Sequence, residues 1–402
     1  MEADLVSVVG IGADGWDGLS APARRAVLAA DVLFGSSRQL ALVPGDGERV
    51  SWPSPMLPAL PGLLEAHRGK ALCVLASGDP MFFGVGSTLA RLVGPERLRV
   101  LPHPSSVSLA CARLGWPLDD VEVVSAVGRP VEALNVAVHP GRRVLVLSAD
   151  GGTPAEVAAL LTARGYGAST LTVLEQLGGP DERRTSASAA TWNEKCAALN
   201  VIAVECALDG PRLSSVPGLP DDAFEHDGQL TKREVRAVTL ATLAPVPGQL
   251  LWDVGAGAGS IAIEWSRAHP SCRAVAIEKH PERADRIVRN AGALGVPSVR
   301  VVRGAVPAAL EGLDQPDAVF IGGGITVPGV VERCFAALAP GGRLVANAVT
   351  VESEAVLARW HGELGGELVR LAVSRGSPVG GFTGWRALMP VTIWNVVKGE
   401  QQ

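Results

Sequence analysis

The chain has 402 residues, 47% of them apolar and 19% charged, which specifies a folded globular protein of about two domains and excludes a disordered one. Acids outnumber bases 41 to 36 for a net charge of −5, which argues against a nucleic-acid binder that relies on bulk charge. Cys73, Cys111, Cys196, Cys206, Cys272 and Cys334 form no C-x-x-C pair and no zinc spacing, so reduced, mostly buried thiols and no metal are expected. No signal-peptide pattern opens the chain, and no apolar run approaches the ~20 residues that span a bilayer, so a soluble cytoplasmic protein without membrane contact is expected.

Val- and Leu-rich runs alternate with Ala/Leu/Arg stretches of helical period, an α/β pattern throughout. The first run, Leu5–Val9, enters VGIGADGWDG, where Gly10, Gly12 and Gly15 match G-x-G-x-x-G. A dinucleotide fingerprint opens its helix directly and is followed by a strand-ending acid. Here the helix is expected only from Ser20-Ala21-Pro22, and Asp31 begins a strand, so a nicotinamide site is not expected. Further strands are read at Ala71–Ala76, Leu98–Leu101, Val121–Val124, Arg143–Leu147, Ser169–Leu174 and Val201–Glu205. From Asp209 the stretch DGPRLSSVPGLPDDAFEHD breaks the pattern and reads as a linker. The expected division is residues 1–208, a linker 209–226, and residues 227–402.

After the linker, GQLTKREVRAVTLATL predicts an amphipathic helix with Thr231 as N-cap and Lys232, Arg233 and Arg236 in its first turns. Leu250–Val254 then leads into Asp253-x-Gly255-x-Gly257-x-Gly259 and a helix over Ser260–Ala268. Such glycines let backbone N–H groups meet a ligand at a helix N-terminus. Ser260 replaces the third fingerprint glycine and an acid precedes the first. Both features fit the S-adenosylmethionine loop of Rossmann-like methyltransferases. Glu278 ends the next strand, Ala274–Glu278, 23 residues after Gly255, where a carboxylate can accept ribose hydroxyls. Beyond the strand Val299–Val302, Gly304-Ala305-Val306 is placed along the adenine. Gly322-Gly323-Gly324 and Asn347 close the strands Ala318–Ile321 and Leu344–Ala348 at the edge where open α/β sheets bind ligands. Helices are expected at Pro281–Ala293, Val327–Leu338 and Glu352–Glu363. Glu367–Val373 and Val391–Val397 read as an antiparallel pair at the sheet edge, joined by a Gly/Pro-rich loop carrying Arg375 and Arg386.

The phrases GQLTKREVRA, DVGAGAGSIAIEW, AIE, PDAVFIGGG and PGGRLVANAVT, in this order, closely resemble the C-15 methyltransferase/decarboxylase family of the cobalamin pathway. The resemblance implies cofactor contacts at Thr231, at Gly255, Ala256, Gly257, Ala258 and Gly259, at Glu278, and at Ala305–Val306; Asp253 is included with the loop. In the first half, the glycine loop, LASGDPMFFGVG and PHPSSVSLACARLGW resemble the tetrapyrrole methylase superfamily, and within it the C-5 methyltransferase family of corrin synthesis. VLFGSSRQL and LEQLGGPDERR fit as well. The implied fold is a two-lobed α/β domain with S-adenosylmethionine in the cleft, near Gly10, Gly78, Asp79 and Ser106. The first loop carries Ala13-Asp14 where relatives often carry proline.

Together the resemblances imply a two-lobed tetrapyrrole methylase domain fused to a Rossmann-like methyltransferase domain, mostly parallel with an antiparallel edge. The fused enzyme would use two S-adenosylmethionine, one per domain, to turn precorrin-6B into precorrin-8X with loss of carbon dioxide in the aerobic pathway. A homo-oligomer is expected, with a tetramer through the C-terminal domain plausible from its relatives. No Ser/His/Asp or Cys/His constellation is readable, which suits methylation of an electron-rich carbon. Decarboxylation needs an electron sink, for which the protonated imine system of the macrocycle is expected, with Arg or Lys orienting the acetate. The candidates for a catalytic role are Thr231, Arg236, Asn347 and Arg375. Competing expectations are a methyltransferase for another tetrapyrrole or small molecule, one for RNA or protein, and a cofactor-binding scaffold with one inactive half.

Overall fold

The computed structural model describes residues 5–399. They fall into two compact units. One gathers residues up to Val131 with Ala137–Pro211; the other gathers Glu132–Val136 with the chain from Arg212 onward.

The first unit opens with five parallel strands, β1 (Val6–Ile11), β2 (Val32–Gly35), β3 (Glu48–Ser51), β4 (Leu72–Ser77) and β5 (Leu98–Leu101), ordered β3-β2-β4-β1-β5. Apolar runs such as VSVVGI are continuous because both faces of the sheet are covered. Val9, Ile11 and Leu33 enter one core, and Val8, Phe34 and Val74 enter the other. A second sheet holds β6 (Val121–Ser125), β7 (Arg143–Leu147), β8 (Thr170–Glu175), β9 (Arg183–Ser188) and β10 (Asn200–Glu205), ordered β6-β7-β10-β8-β9, with only β6 and β7 parallel. Sequence reading finds neither β3 nor β9. Both lie at sheet edges and are largely exposed, so neither carries an apolar run. The helix after the first loop runs Ala21–Leu28 with Ser20 accepting from the Ala23 N–H, as read from the sequence; a four-residue helical turn, Gly15–Gly18, precedes it.

The second unit holds β11 (Leu250–Val254), β12 (Arg273–Glu278), β13 (Arg300–Arg303), β14 (Ala318–Ile321), β15 (Arg343–Ala348), β16 (Glu367–Leu371), β17 (Ser374–Val379), β18 (Phe382–Ala387) and β19 (Val391–Val397). Seven of them form the sheet β13-β12-β11-β14-β15-β19-β16, the first five parallel and β19 antiparallel to both neighbours. Strand order reverses between β11 and β14. Ligands of open α/β sheets lie outside the carboxyl ends of the strands at such a point.

Two expectations change here. The segment from Arg212 to His226 is not a free tether, because Leu219 and Phe224 are 1% and 3% exposed in the core of this unit. The Gly/Pro-rich tail loop is a paired ribbon, β17 against β18, folded across Gly380-Gly381. Among the described residues no helix is long and apolar enough to cross a membrane. The six cysteines are free thiols, and burial pushes Cys73 and Cys334 up to about 12.

Candidate functional site

In the second unit β11 delivers the chain into Gly255–Gly259, and the helix Ser260–Ala268 follows at once. All three glycines take left-handed backbone, with φ of +71°, +60° and +79°. That conformation turns the chain into the helix and is strained for any other residue type. Gly255 also lies against Gly323, whose backbone is 2.8 Å from where a Cβ would stand.

Glu278, the last residue of β12, is 4% exposed. Its Oε2 accepts from the Gly257 N–H at 2.9 Å and its Oε1 from the His280 N–H at 3.0 Å. These two bonds fix a carboxylate at the strand edge beside the glycine loop.

A cavity of about 890 Å³ opens there. Its wall includes Gly255 to Ala258, Glu278 and Gly304 to Val306. Gly322 to Gly324, Asn347, Leu388 and Met389 line it as well, as does the strap Gly228 to Lys232. The 228–232 strap is tied at both ends. Asp227 meets Arg283 at 2.8 Å and Arg286 at 3.3 Å, which holds its carboxyl well below the usual carboxylate range. At the other end the Thr231 carbonyl accepts from Arg236.

The cavity therefore joins Thr231, Gly255, Ala256, Gly257, Ala258, Glu278, Ala305, Val306 and Asn347 of the sequence-derived set. Five members of that set behave differently. Gly259 is off the wall; it is the N-cap of Ser260–Ala268, and a Cβ there would meet Ile287 at 2.7 Å. Asp253 lies beneath the loop, 1% exposed, and accepts from the Ala262 N–H at 3.0 Å. Burial pushes its carboxyl up to about 7, and the nearby Glu278 charge adds to the rise. Thr231 is not a cap, because the helix runs Arg233–Leu243 with Lys232 at its N-cap and no side-chain cap bond.

Arg236 is wholly buried and cannot meet a substrate carboxylate. Its guanidinium binds Glu264, Asp221 and the carbonyls of Thr231 and Leu219, and stacks over Phe224. Arg375 is engaged by Glu234 and Asp221 within the protein. Asn347 donates from Nδ2 to Thr239 Oγ1 at 2.9 Å, and Thr239 donates to the Val235 carbonyl.

Sequence reading missed the cavity residues Lys279, His280, Leu388, Met389 and most of the strap. Lys279 and His280 directly follow the strand-ending Glu278, so their place at the edge was inferable. Leu388 and Met389 follow the unpredicted ribbon and carried no such signal.

In the first unit three chain segments meet at the carboxyl ends of β1, β4 and β5. A Cβ on Gly10 would stand 2.0 Å from the Gly78 carbonyl oxygen and 2.6 Å from the His103 nitrogen. Gly78, at φ +60°, packs against Pro104 to Ser106. Gly10, Gly78 and Ser106 are thus brought together. Ser106 is the first residue of its helix, and Ser105 caps it by accepting from the Ser108 N–H at 3.0 Å. Asp79 accepts from the Met81 N–H at 2.9 Å and so shapes its own turn. Asp14, of the Ala13-Asp14 pair that stands where relatives often carry proline, meets His103 Nε2 at 3.1 Å and ties the first loop to the segment after β5. A separate recess of about 200 Å³ opens against Val6 and Leu72, at the opposite strand ends.

Two family profiles match the chain: "Tetrapyrrole (Corrin/Porphyrin) Methylases" over residues 5–192 and "Precorrin methyltransferase domain" over residues 222–398. A Sinorhizobium sp protein named precorrin-6Y C(5,15)-methyltransferase [decarboxylating] is 52% identical, covering 98% of this chain and 96% of its own. A Mycobacterium tuberculosis protein of the same name is 51% identical over 98% of this chain and 100% of its own. The crystal structure of the C-terminal domain of a Rhodobacter capsulatus precorrin-6Y C5,15-methyltransferase aligns at 46% identity and TM-score 0.44, covering 46% of this chain and all of that one.

Proposed function

The chain belongs to the family of precorrin-6Y C(5,15)-methyltransferases (decarboxylating), and from that premise we propose how its two units divide the work. It is an S-adenosylmethionine-dependent precorrin methyltransferase of cobalamin biosynthesis. In our reading the first unit methylates C-5, and the second methylates C-15 and releases the C-12 acetate as carbon dioxide. The substrate is precorrin-6B, the product precorrin-8X, and the pathway the aerobic one. Each unit takes one methyl donor, and no metal takes part.

The observation that carries this reading is the cavity at the switch point of the second unit, lined by the glycine loop and by a carboxylate fixed beside it. The donor supplies a methyl group from its sulfonium. Glu278 is placed to accept ribose hydroxyls, the side-chain-poor turn Gly255 to Ala258 to let the amino-acid end approach its backbone, and Ala305 and Val306 to flank the adenine; the Gly255 and Ala256 N–H groups donate to the Ile277 carbonyl and that of Gly257 to Glu278, so these three amides hold the loop. Transfer is an in-line displacement, so the task of the chain is alignment at roughly 3–3.5 Å and exclusion of water. Gly322 to Gly324, which carry no side chains, leave room for a bulky acceptor. Lys232 and Lys279 line the cavity and are the cations suited to the acetate and propionate arms; they take the part that sequence reading gave to Arg236 and Arg375. In the first unit the donor lies beside Gly10, Gly78, Asp79 and Ser106.

A homo-oligomer, plausibly a tetramer, would form through the second unit. The β17–β18 ribbon supports this, since Phe382 and Trp385 stand 84% and 83% exposed on it. Six free cysteines suit a reducing cytoplasm.

The test is anaerobic turnover of the reduced precorrin-6 substrate by the full chain, followed by mass spectrometry. The native protein adds two methyl groups and loses one carbon dioxide. Gly255→Ala adds one methyl and loses none, whereas Gly10→Ala adds one and still loses carbon dioxide. Carbon dioxide loss by Gly255→Ala would refute the division.

A further inference from the structure

We propose that Met81, Phe82, Phe83 and Arg129 form the platform on which the first unit receives the flat face and a carboxylate arm of its tetrapyrrole. The proposal rests on the reading of that unit as the C-5 methyltransferase.

The three apolar residues follow Gly78-Asp79-Pro80 at the carboxyl end of β4, within five residues of the glycine that packs against Gly10 and Ser105. The loop is tightly wound. Asp79 accepts from the Met81 N–H through Oδ1 and from the Phe82 N–H through its carbonyl, and the Pro80 carbonyl accepts from Gly86. Within this frame Phe83 sits at φ +52°, a conformation that bulky L residues rarely adopt. Its side chain nevertheless stays half exposed. Met81, Phe82 and Phe83 are 48%, 39% and 48% exposed. The two rings hold each other edge to face, with centroids 4.9 Å apart at 82°.

Strained backbone and contiguous exposed apolar surface each mark an interaction site. Charge selects the occupant. The Arg129 guanidinium lies 5.4 Å from the centre of the Phe83 ring. No carboxylate pairs with it among the described residues. Arg38 reaches Ser77 at the same strand end with no carboxylate of its own. A conjugated macrocycle bearing acetate and propionate arms offers both partners: a π face for the rings and Met81, and an anion for the guanidinium. A purely apolar protein partner would leave Arg129 unmatched.

The experiment uses the full chain with Phe83→Gly, Arg129→Gln and Arg129→Lys. C-5 methylation is measured against C-15 methylation in the same molecules. Glycine suits the left-handed backbone, so Phe83→Gly keeps or raises the Tm while the KM for C-5 methylation rises about tenfold. Arg129→Gln raises that KM similarly and Arg129→Lys recovers part of it. The C-15 reaction and the affinity for S-adenosylhomocysteine stay within twofold of native. A C-5 KM within twofold of native in both Phe83→Gly and Arg129→Gln overturns the platform. So does a change in oligomeric state with KM unchanged. If the native chain fails to methylate C-5, the reading of the first unit falls. The platform is then judged by spectrophotometric titration with uroporphyrin, a polycarboxylate tetrapyrrole. About tenfold weaker binding by Phe83→Gly sustains it, and equal binding removes it.

Discussion

The chain carries two glycine loops with related spacing, and they use glycine for different reasons. In the second unit Gly255, Gly257 and Gly259 all stand at positive φ, and the loop is a conformational device that opens directly into a helix. In the first unit Gly10 and Gly12 have ordinary backbone. Gly10 is glycine because two other segments cross it, the Gly78 carbonyl and the His103 nitrogen occupying the space of a Cβ. The carboxylates beside the loops differ as well. Asp14 meets His103 across the first loop, whereas Asp253 lies buried under the second with a single backbone donor. Two loops that both begin G-x-G are thus a crossing point in one unit and a cavity-lining turn in the other.

The strongest test of this contrast is Gly10→Ala. The added methyl meets backbone rather than a yielding side chain, so the first unit should lose about 3 kcal/mol or more, the upper end of ordinary overpacking. Chemical denaturation followed by hydrogen exchange would show the loss in β1 and β4 and leave β11 and β12 untouched. A fully tolerated alanine would break the comparison.

Asp253→Asn probes the carboxylate under the second loop. Burial raises the Asp253 pKa from 3.8 to about 7, so the folded chain holds this proton more tightly than the unfolded one. The contribution to stability is greatest at low pH and declines as pH rises from about 4 through about 7. The decline between pH 5 and pH 7 amounts to about 2 kcal/mol. Asn keeps an acceptor for the Ala262 N–H, and urea midpoints for the second unit should lose that part of their pH slope.

The smallest effect is expected for Gly257→Ala. Only the Gln229 carbonyl comes near the added methyl, at 3.4 Å, so the cost is that of positive φ alone, about 1 kcal/mol. It should register as a Tm shift of a few degrees in the second unit.

The second unit was largely legible in the sequence because its signals are local. A buried parallel strand is an apolar run, a loop of alternating glycines is visible as such, and a strand-ending acid sits at a fixed remove. Glu278 and Gly255–Ala258 could be placed at one strand edge for that reason, and the structure puts them on one cavity. Arg236 and Arg375 looked like free cations since their partners, Glu264 and Asp221 for Arg236 and Glu234 and Asp221 for Arg375, are distant from them in sequence. Composition registers an arginine; only packing shows that it is already paired. The exposed edge strands β3 and β9 were missed because no apolar run marks them, and the β17–β18 ribbon because its few apolar residues are interrupted by Gly and Pro and stay exposed. The meeting of Gly10 with Gly78 is a tertiary crossing, and it became readable only through resemblance to a family in which those motifs travel together; the part of His103 in it was not read from the sequence.

The central claim is that each unit holds its own methyl-donor site. Calorimetric titration of the full chain with S-adenosylhomocysteine measures it directly. The account predicts two sites per chain for the native protein and one for Gly255→Ala, the survivor being the site beside Gly10 and Gly78. A single site in the native protein, abolished by Gly255→Ala, would contradict it.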